Sequence, residues 1–349
     1  MGGAVLFLAL VLDLTLEKVI PDSSLRYLIM AAAGNVAVAL SLNVINGMAG
    51  QFSIGHAGFV GVGGYTSAVI ASNLHQALGG GEPTLAKSFV VVPLCLVASA
   101  AFAGALGFVV GLPSLRLRGD YLAIVTLGFA EIFRLSIATA DAGEGSGLLA
   151  RLGGQNGYQG IEGQGVPLYA GPFWVFGIVF LLGVVAWRLK FSGWGRALRA
   201  LREDEIAAAA VGVDPTRYKV TSFVLSAVGA GIAGGLMAIM RDGMPVQNPD
   251  NYTFTASFDA ITMVILGGSG SVSGAVIGGL FITLSIKAIE QVQGSDVVRD
   301  LVATTPSLDL NAARMIIYAV VLILLMIWRP EGLLGERELF QTKKRVTVA

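Results

Sequence analysis

The side chains able to do chemistry in this chain are few. The run NVINGMAGQFSIGHAGFVGVGGY carries Asn43, Asn46, Gln51, Ser53, His56 and Tyr65 among closely spaced glycines. Polar groups are costly inside a bilayer, so their density here points to irregular backbone or a wet cavity, whose walls they would form. His56 could carry a proton. With no carboxylate or second histidine placed beside it by sequence, it reads instead as a packed, hydrogen-bonded histidine. Glu131 and Arg134 stand three apart and can pair on one helix face as a structural ion pair near the outer half of a span. Asp259, Glu131 and Glu290 are the carboxylates an ion-coupled site could use, and all fall near predicted span ends. Cys95 is the only cysteine, which excludes an intrachain disulfide and a cysteine-based zinc site. No catalytic group and no metal site is expected.

A second kind of chemistry sits in Gly193–Gly212. Arg196, Arg199, Arg202, Glu203, Asp204 and Glu205 are followed by Ile206, Ala207, Ala208 and, after three more residues, Gly212. Residues 196–210 are good helix formers, and Gly212 with Pro215 would end the helix. Leu198, Leu201 and Ile206 give it some apolar character. The segment is too polar to span a membrane. It reads either as a solvated connector or as a short helix that transmits force from a soluble partner.

The elements that position these groups must be membrane helices. The chain has 349 residues, 54% hydrophobic and 13% charged, with a mean hydropathy of +0.74. A soluble domain carries about 25% charge, so these residues could not cover a water-facing surface. Zero net charge argues against a nucleic-acid binder. The expected fold is all-α: one polytopic membrane domain over 1–349 with about 8–10 helices, each needing roughly 20 apolar residues. Predicted spans are 3–20, 26–46, 52–74, 88–112, 120–140, 172–190, 219–240, 256–292 and 312–328. Residues 1–20 compete with a cleaved signal peptide, but no Lys or Arg precedes the apolar run, which favours a retained helix.

Orientation follows from basic residues in short loops. The loop 191–218, flanked by Arg188, Lys190 and Lys219, and the tail 329–349 are assigned to the cytoplasm, with Arg116 and Arg118 marking a third inner loop. Both termini then lie inside. Leaving the cytoplasm at Lys219 and returning by Arg329 forbids a single crossing by 256–292. That segment is broken by Gly267, Gly268, Ser269, Gly270 and Ser271, and reads as two arms that enter, turn and leave. Non-helical backbone at that depth is tolerated only where it is buried in protein or lines a wet cavity, so the turn is expected to face a pathway or partner and joins the wall residues. The glycine-rich loop 141–171 is expected outside, as a flexible connector or as a gate. Small residues four apart (Gly107 with Gly111, Ala227 with Gly231 and Gly235, Gly274 with Gly278) let helices approach closely.

Four stretches together carry a resemblance. They are Gly50–Phe59 with Gly64 and Tyr65; Leu117–Phe129 with Glu131 and Arg134; Gly195–Gly212; and Leu266–Ser271 with Gly274, followed by Arg329-Pro330-Glu331-Gly332-Leu333. In order and spacing, from about residue 25 to 335, the chain resembles the permease subunits of ATP-binding-cassette importers for branched-chain amino acids, in particular the LivM-like partner of the two-permease pair. The third stretch is similar to the family's coupling loop, which often reads Glu-Ala-Ala-x-x-x-Gly. Here Ile206 takes the Glu position and Glu205 lies one residue earlier.

The resemblance implies a second homologous permease, two cassette ATPases on the coupling loops, an extracytoplasmic binding protein, and a bacterial inner-membrane location among lipids. No phosphate-binding Gly-x-x-x-x-Gly-Lys-[Ser/Thr] occurs, and no lysine follows a glycine. The chain is thus expected to be no enzyme and to bind no cofactor, with ATP and magnesium held by separate subunits. Urea or short amides as cargo, and an ion-coupled carrier, are the alternative readings.

Overall fold

The computed structural model describes Asp13, residues 19–115, 121–140, 152–243 and 245–293, and, nearer the C-terminus, residues 320, 323, 327, 332–335 and 337–339. Most of the predicted spans 3–20 and 312–328, Arg116, Arg118, residues 141–151 of the glycine-rich loop and residues 340–349 of the tail lie outside the described residues.

The described residues contain no strand and fold as a helical bundle. Its helices are α1 (Ser23–Leu42), α2 (His56–Ala77), α3 (Leu85–Ser114), α4 (Tyr121–Ala138), α5 (Pro172–Phe191), α6 (Gly193–Glu203), α7 (Glu205–Ala210), α8 (Pro215–Ala238), α9 (Phe254–Gly267) and α10 (Val272–Gln293). Among the described residues, five segments are long and apolar enough to cross a bilayer: Ser23–Met48, α3, α4, α5 and α8. Helix α2 has the length but is diluted by glycine, Ser, Asn and His. Helices α9 and α10 are the two arms expected across 256–292.

Glycine explains the packing. The central α8 packs against α1, α2 and α3. A Cβ on Gly63 would collide with the Gly231 carbonyl, and one on Gly234 with the Val60 carbonyl. Gly107 faces Ala227, Gly111 faces Phe223, and Gly278 abuts the Met263 carbonyl. Where lipid is as apolar as leucine, association depends on such close approach and on interhelical hydrogen bonds. Examples of the latter are Ser226 Oγ to the Ser41 carbonyl at 2.8 Å and Ser99 Oγ to the Gly63 carbonyl at 2.8 Å. Elsewhere α3 turns Val97, Phe102 and Val109 outward, an apolar surface suited to lipid or a partner subunit.

Neighbouring contacts set the directions. Ser41 meets Gly229 while Gly34 meets Met237, so α1 and α8 are antiparallel. One end of the bundle gathers Lys190, Arg196, Arg199, Arg202, Arg217 and Lys219, and is called the basic end below. At the opposite end, residues 158 and 170 pair with 247 and 240 through isolated bridges. There Tyr158 and Tyr169 are buried. Residues 152–171 of the glycine-rich loop are therefore docked on the bundle, so of the two readings the flexible connector does not hold for them. Backbone pairing and buried aromatic rings hold them.

Candidate functional site

Irregular backbone gathers at the basic end. After Leu42 the first helix widens into a π-helix, Asn43–Met48, and the chain is non-helical until His56. π-bulges loosen the regular hydrogen-bond ladder and often mark functional segments. Directly opposite lies the break between α9 and α10, where Gly268 and Gly270 adopt φ of 119° and 86°. The Asn43 amide joins the two, donating to the Ser271 carbonyl at 3.0 Å and accepting from the Gly270 N–H at 2.8 Å.

The charged helix docks onto this junction. Ser192 caps α6, and Asp204 caps α7 through the N–H groups of Ile206 and Ala207. Leu198 and Leu201 are buried and root α6 in the bundle. Arg202 reaches inward: its Nη1 donates to the Gly47 carbonyl at 2.8 Å. Its stem lies on Gly50, whose φ of 66° suits glycine and where a Cβ would approach Arg202 Cγ to 2.5 Å. One arginine thus ties the charged loop, the π-turn and the broken hairpin together. Arg199, Lys190 and Arg202 line a small crevice with Gly47 and Gly270. Arg199 Nε and the nearby Gln51 Oε1 are buried without a hydrogen-bond partner among the described residues.

The outward face of the same loop is different. Glu203, Asp204, Glu205, Ala207 and Gly212 are exposed, as is Arg196, while Ala208 is buried. Ile206 is 84% exposed and Val211 79%. Lys219 holds Glu205 at 2.6 Å and fastens α7 to the start of α8. The loop thus presents two bare aliphatic side chains with an acidic collar, on a frame pinned to the core from behind.

A residue the sequence reading passed over completes the junction. Glu338 has its carboxylate buried against the broken hairpin. It accepts from the N–H groups of Val272 at 2.8 Å and Ser273 at 2.9 Å, at the start of α10, and pairs with Lys190 Nζ at 2.5 Å. Burial would raise its carboxyl pKa, but the Lys190 ammonium, the Ser273 hydroxyl and these N–H groups outweigh that and hold it below the usual carboxylate range. The turn 268–271 is therefore covered by the chain's own Gly47, Arg202, Gly335, Arg337 and Glu338, where a pathway or partner was expected. The missed signal was the third glutamate of a basic tail, after Glu331 and Glu336.

The remaining expected wall residues are also tied within the bundle. Ser41 donates its hydroxyl to the Val38 carbonyl, so His56 Nε2–H donates to Ser41 Oγ at 2.8 Å. Asn46 accepts from the Ser53 N–H at 3.2 Å, and Tyr65 donates to the Gln247 carbonyl at 2.8 Å. A cavity of about 370 Å³ lies toward the far end, level with the Tyr65 partner Gln247 and above Asn43, Asn46 and Ser53. None of Asn43, Asn46, Gln51, Ser53, His56, Tyr65 or residues 267–271 lines it. Its walls come from α1, α2, α8, α9, α10 and the turn after α8, and include Asn35, Met237, Met263, Tyr252 and Asp259. Asp259 was placed near a span end by sequence; it falls in the second turn of α9, on the cavity wall. The expected Glu131–Arg134 pair forms at 2.9 Å, and Arg134 also reaches Asp250 at 3.4 Å, beside the cavity rim.

Residues 25–326 match the family described as branched-chain amino acid transport system / permease component. The chain is 33% identical to the high-affinity branched-chain amino acid transport system permease protein LivM of Escherichia coli, over 86% of this chain and 67% of the relative. It is 29% identical to the probable LivM permease of Methanocaldococcus jannaschii, over 86% and 90%. It is 24% identical to the LivH permease of Escherichia coli, over 86% and 91%. No solved structure matches at a significant level. The match to the family over most of the chain, together with these apolar helices, makes the protein a multi-pass membrane protein that belongs to the permease-component family of branched-chain amino acid transport systems.

Proposed function

We propose that this chain is one membrane subunit of an ATP-driven importer that carries branched-chain amino acids toward the cytoplasm. A second, homologous permease would complete the pathway. Two cassette ATPases would seat on the α6–α7 loops of the pair, and a binding protein would deliver cargo at the far end. The basic end and both termini then face the cytoplasm across a bacterial inner membrane.

The observation that carries this reading is the two-faced charged loop. Ile206 and Val211 stand bare at its tip while Leu198 and Arg202 anchor it at the junction of the π-turn and the broken hairpin. A soluble motor gripping the tip would move the irregular backbone behind it. ATP can shift the permease only by binding its two states differently, and the anchored loop is where that difference would be transmitted. Asn43, Asn46, Gln51, Ser53, His56 and Gly267–Ser271 then serve as the inner gate of the pathway, below the cavity.

Copurification of the chain with a second permease and cassette ATPases, followed by an ATPase assay with loaded binding protein, tests the reading. Wild type should show stimulated hydrolysis. Ile206→Asp combined with Val211→Asp should abolish stimulation while the two permeases still copurify. Stimulation retained by the double variant would overturn the coupling role. Gradient-driven amino-acid flux through the purified chain alone would favour the ion-coupled carrier.

A further inference from the structure

One turn at the far end holds a residue type that its backbone resists. The Gly243 N–H donates to the Met240 carbonyl at 3.0 Å and closes a β-turn just after α8. Asp242 takes the third position of that turn with φ of 62°, the only positive φ among the described non-glycine residues. Turns with a positive φ there favour glycine or asparagine, because a side chain crowds its own backbone. Gly243 follows one residue too late to serve. An aspartate in this place needs an outside hold.

The hold is a fork. Arg26, in the first turn of α1, donates from Nη2 to Asp242 Oδ1 at 2.9 Å and from Nε to Oδ2 at 3.1 Å. Its Nη1 donates to the carbonyls of Ile20 at 3.0 Å and Pro21 at 3.2 Å, which orients the guanidinium. Such two-point pairing fixes geometry as well as charge. The Arg26 and Asp242 side chains are 14% and 17% exposed, so water can compete for the pair. The turn has other attachments. The Ala170 N–H donates to the Ile239 carbonyl and the Arg241 N–H to the Ala170 carbonyl, each at 2.8 Å. The Arg241 side chain reaches Asp13 at 3.4 Å. Backbone pairing thus ties the turn to the docked loop, and the fork ties it to α1.

We propose that the turn Met240–Gly243 is a loaded latch on the far-end cavity, kept shut by the Arg26–Asp242 pair. Met240 and Gly243 line the cavity, and so does Tyr27 beside Arg26, so the fork joins two parts of its wall. While the fork holds, Asp242 stays in the left-handed region. Once it is released, Asp242 relaxes to negative φ, the turn changes shape and Met240 leaves the wall. The two arrangements differ by one ion pair set against one unfavourable backbone conformation, which is the bistable kind of element a switch requires. A plain surface ion pair would leave unexplained why an aspartate stands where glycine fits. The inference rests on the transport reading for its purpose, since an importer must open this end to admit cargo, and on the geometry alone for its place.

The test reads access to a buried point of the cavity. Ala260 lines it and is 2% exposed, so a thiol introduced by Ala260→Cys is labelled through opening. The chain is assembled with its partner subunits and treated with a water-soluble thiol reagent. Labelling then follows the population of the open form. Asp242→Ala removes the fork and keeps the backbone strain, and should speed labelling about tenfold. Asp242→Gly removes the fork but lets the turn keep its shape, and should speed labelling far less. Arg26→Gln should behave as Asp242→Ala does. The native Cys95, buried in the bundle, is the control: in chains lacking Ala260→Cys it should stay at background with every variant, because the latch opens the cavity and not the core.

Labelling unchanged by Asp242→Ala, labelling as fast with Asp242→Gly as with Asp242→Ala, or Cys95 reacting in step with the introduced thiol would overturn the proposal. Should the Asp242 variants fail to assemble, Arg26→Gln decides by the same two thiols. ATP-driven leucine uptake by the unmodified assembly is measured in parallel. Faster labelling in Asp242→Ala with no uptake would keep the latch and sink the transport reading; uptake with labelling unaffected would do the reverse.

Discussion

The two ends of this bundle solve opposite problems. At the basic end, irregular backbone is held by side chains: Asn43 bridges the hairpin turn, the Arg202 stem lies on Gly50, and Glu338 closes the start of α10. At the far end, residues 239–243 and 245–253, irregular but for the 3₁₀ turn Pro249–Tyr252, roof a cavity and are held by the partly exposed Arg134–Asp250 contact and by Tyr65 and Tyr252 on Gln247. Most polar groups named at the first end meet other protein groups at fixed distances, Arg199 Nε and Gln51 Oε1 excepted. At the second, several face open volume. A molecule that must pass solute has to change one end at a time, and on the proposed reading the packed basic end is the closed one.

Substitutions can break that contrast, beginning at the basic end. The Lys190 and Glu338 side chains are 7% and 0% exposed, so Glu338→Ala takes a buried counter-charge from the Lys190 ammonium beside Arg199 and Arg202. Breaking such a pair costs about 3–5 kcal/mol, to be read as a large drop in Tm of the purified assembly. The same pair has a pH signature. The folded-state pKa of Glu338 is depressed, so its contribution is fully present above the unfolded carboxyl value of about 4.3. It is lost as pH falls through the lower folded value. The Tm difference between wild type and Glu338→Ala should therefore shrink on acidification below that point and stay flat from neutral pH down to it.

Next in size is Arg202→Ala. It removes one charge-assisted hydrogen bond to the Gly47 carbonyl and the stem over Gly50, a loss of about 1–3 kcal/mol. Its larger effect should be functional: uptake falls several-fold while basal hydrolysis by the ATPases persists. Smallest is Arg134→Ala at the far end. Its partners Glu131 and Asp250 are 30% and 57% exposed, and solvent-facing pairs contribute about 0–1 kcal/mol. A Tm shift there as large as that of Glu338→Ala would erase the distinction between the ends.

Much of the architecture was legible because bilayers demand long apolar helices, and few sequences meet that demand by accident. Ser23–Met48, α3, α4, α5 and α8 appear close to their expected bounds, and the parity argument correctly split 256–292 at Gly268–Ser271. The Glu131–Arg134 pair was legible because i,i+3 geometry is local. What spacing could not show was which polar residues share a space. Asn43 and Gly270 are far apart in sequence, and so are Lys190 and Glu338. Asp259 sits near a helix start by count, yet faces the cavity because the preceding 3₁₀ turn, Pro249–Tyr252, lies over it. Hydrophobic pattern places helices; the rotation and meeting of helix ends depend on tertiary contacts that no window of sequence contains.

The central claim is that the exposed tip of the charged loop is gripped by another subunit's nucleotide-binding machinery. A photo-crosslinking residue in place of Val211, 79% exposed at that tip, tests this directly in the assembled transporter. The account predicts an adduct with a cassette ATPase, with its yield changing when ATP is added. An adduct with the binding protein, or none with any ATPase subunit in an assembly that hydrolyses ATP, would contradict it.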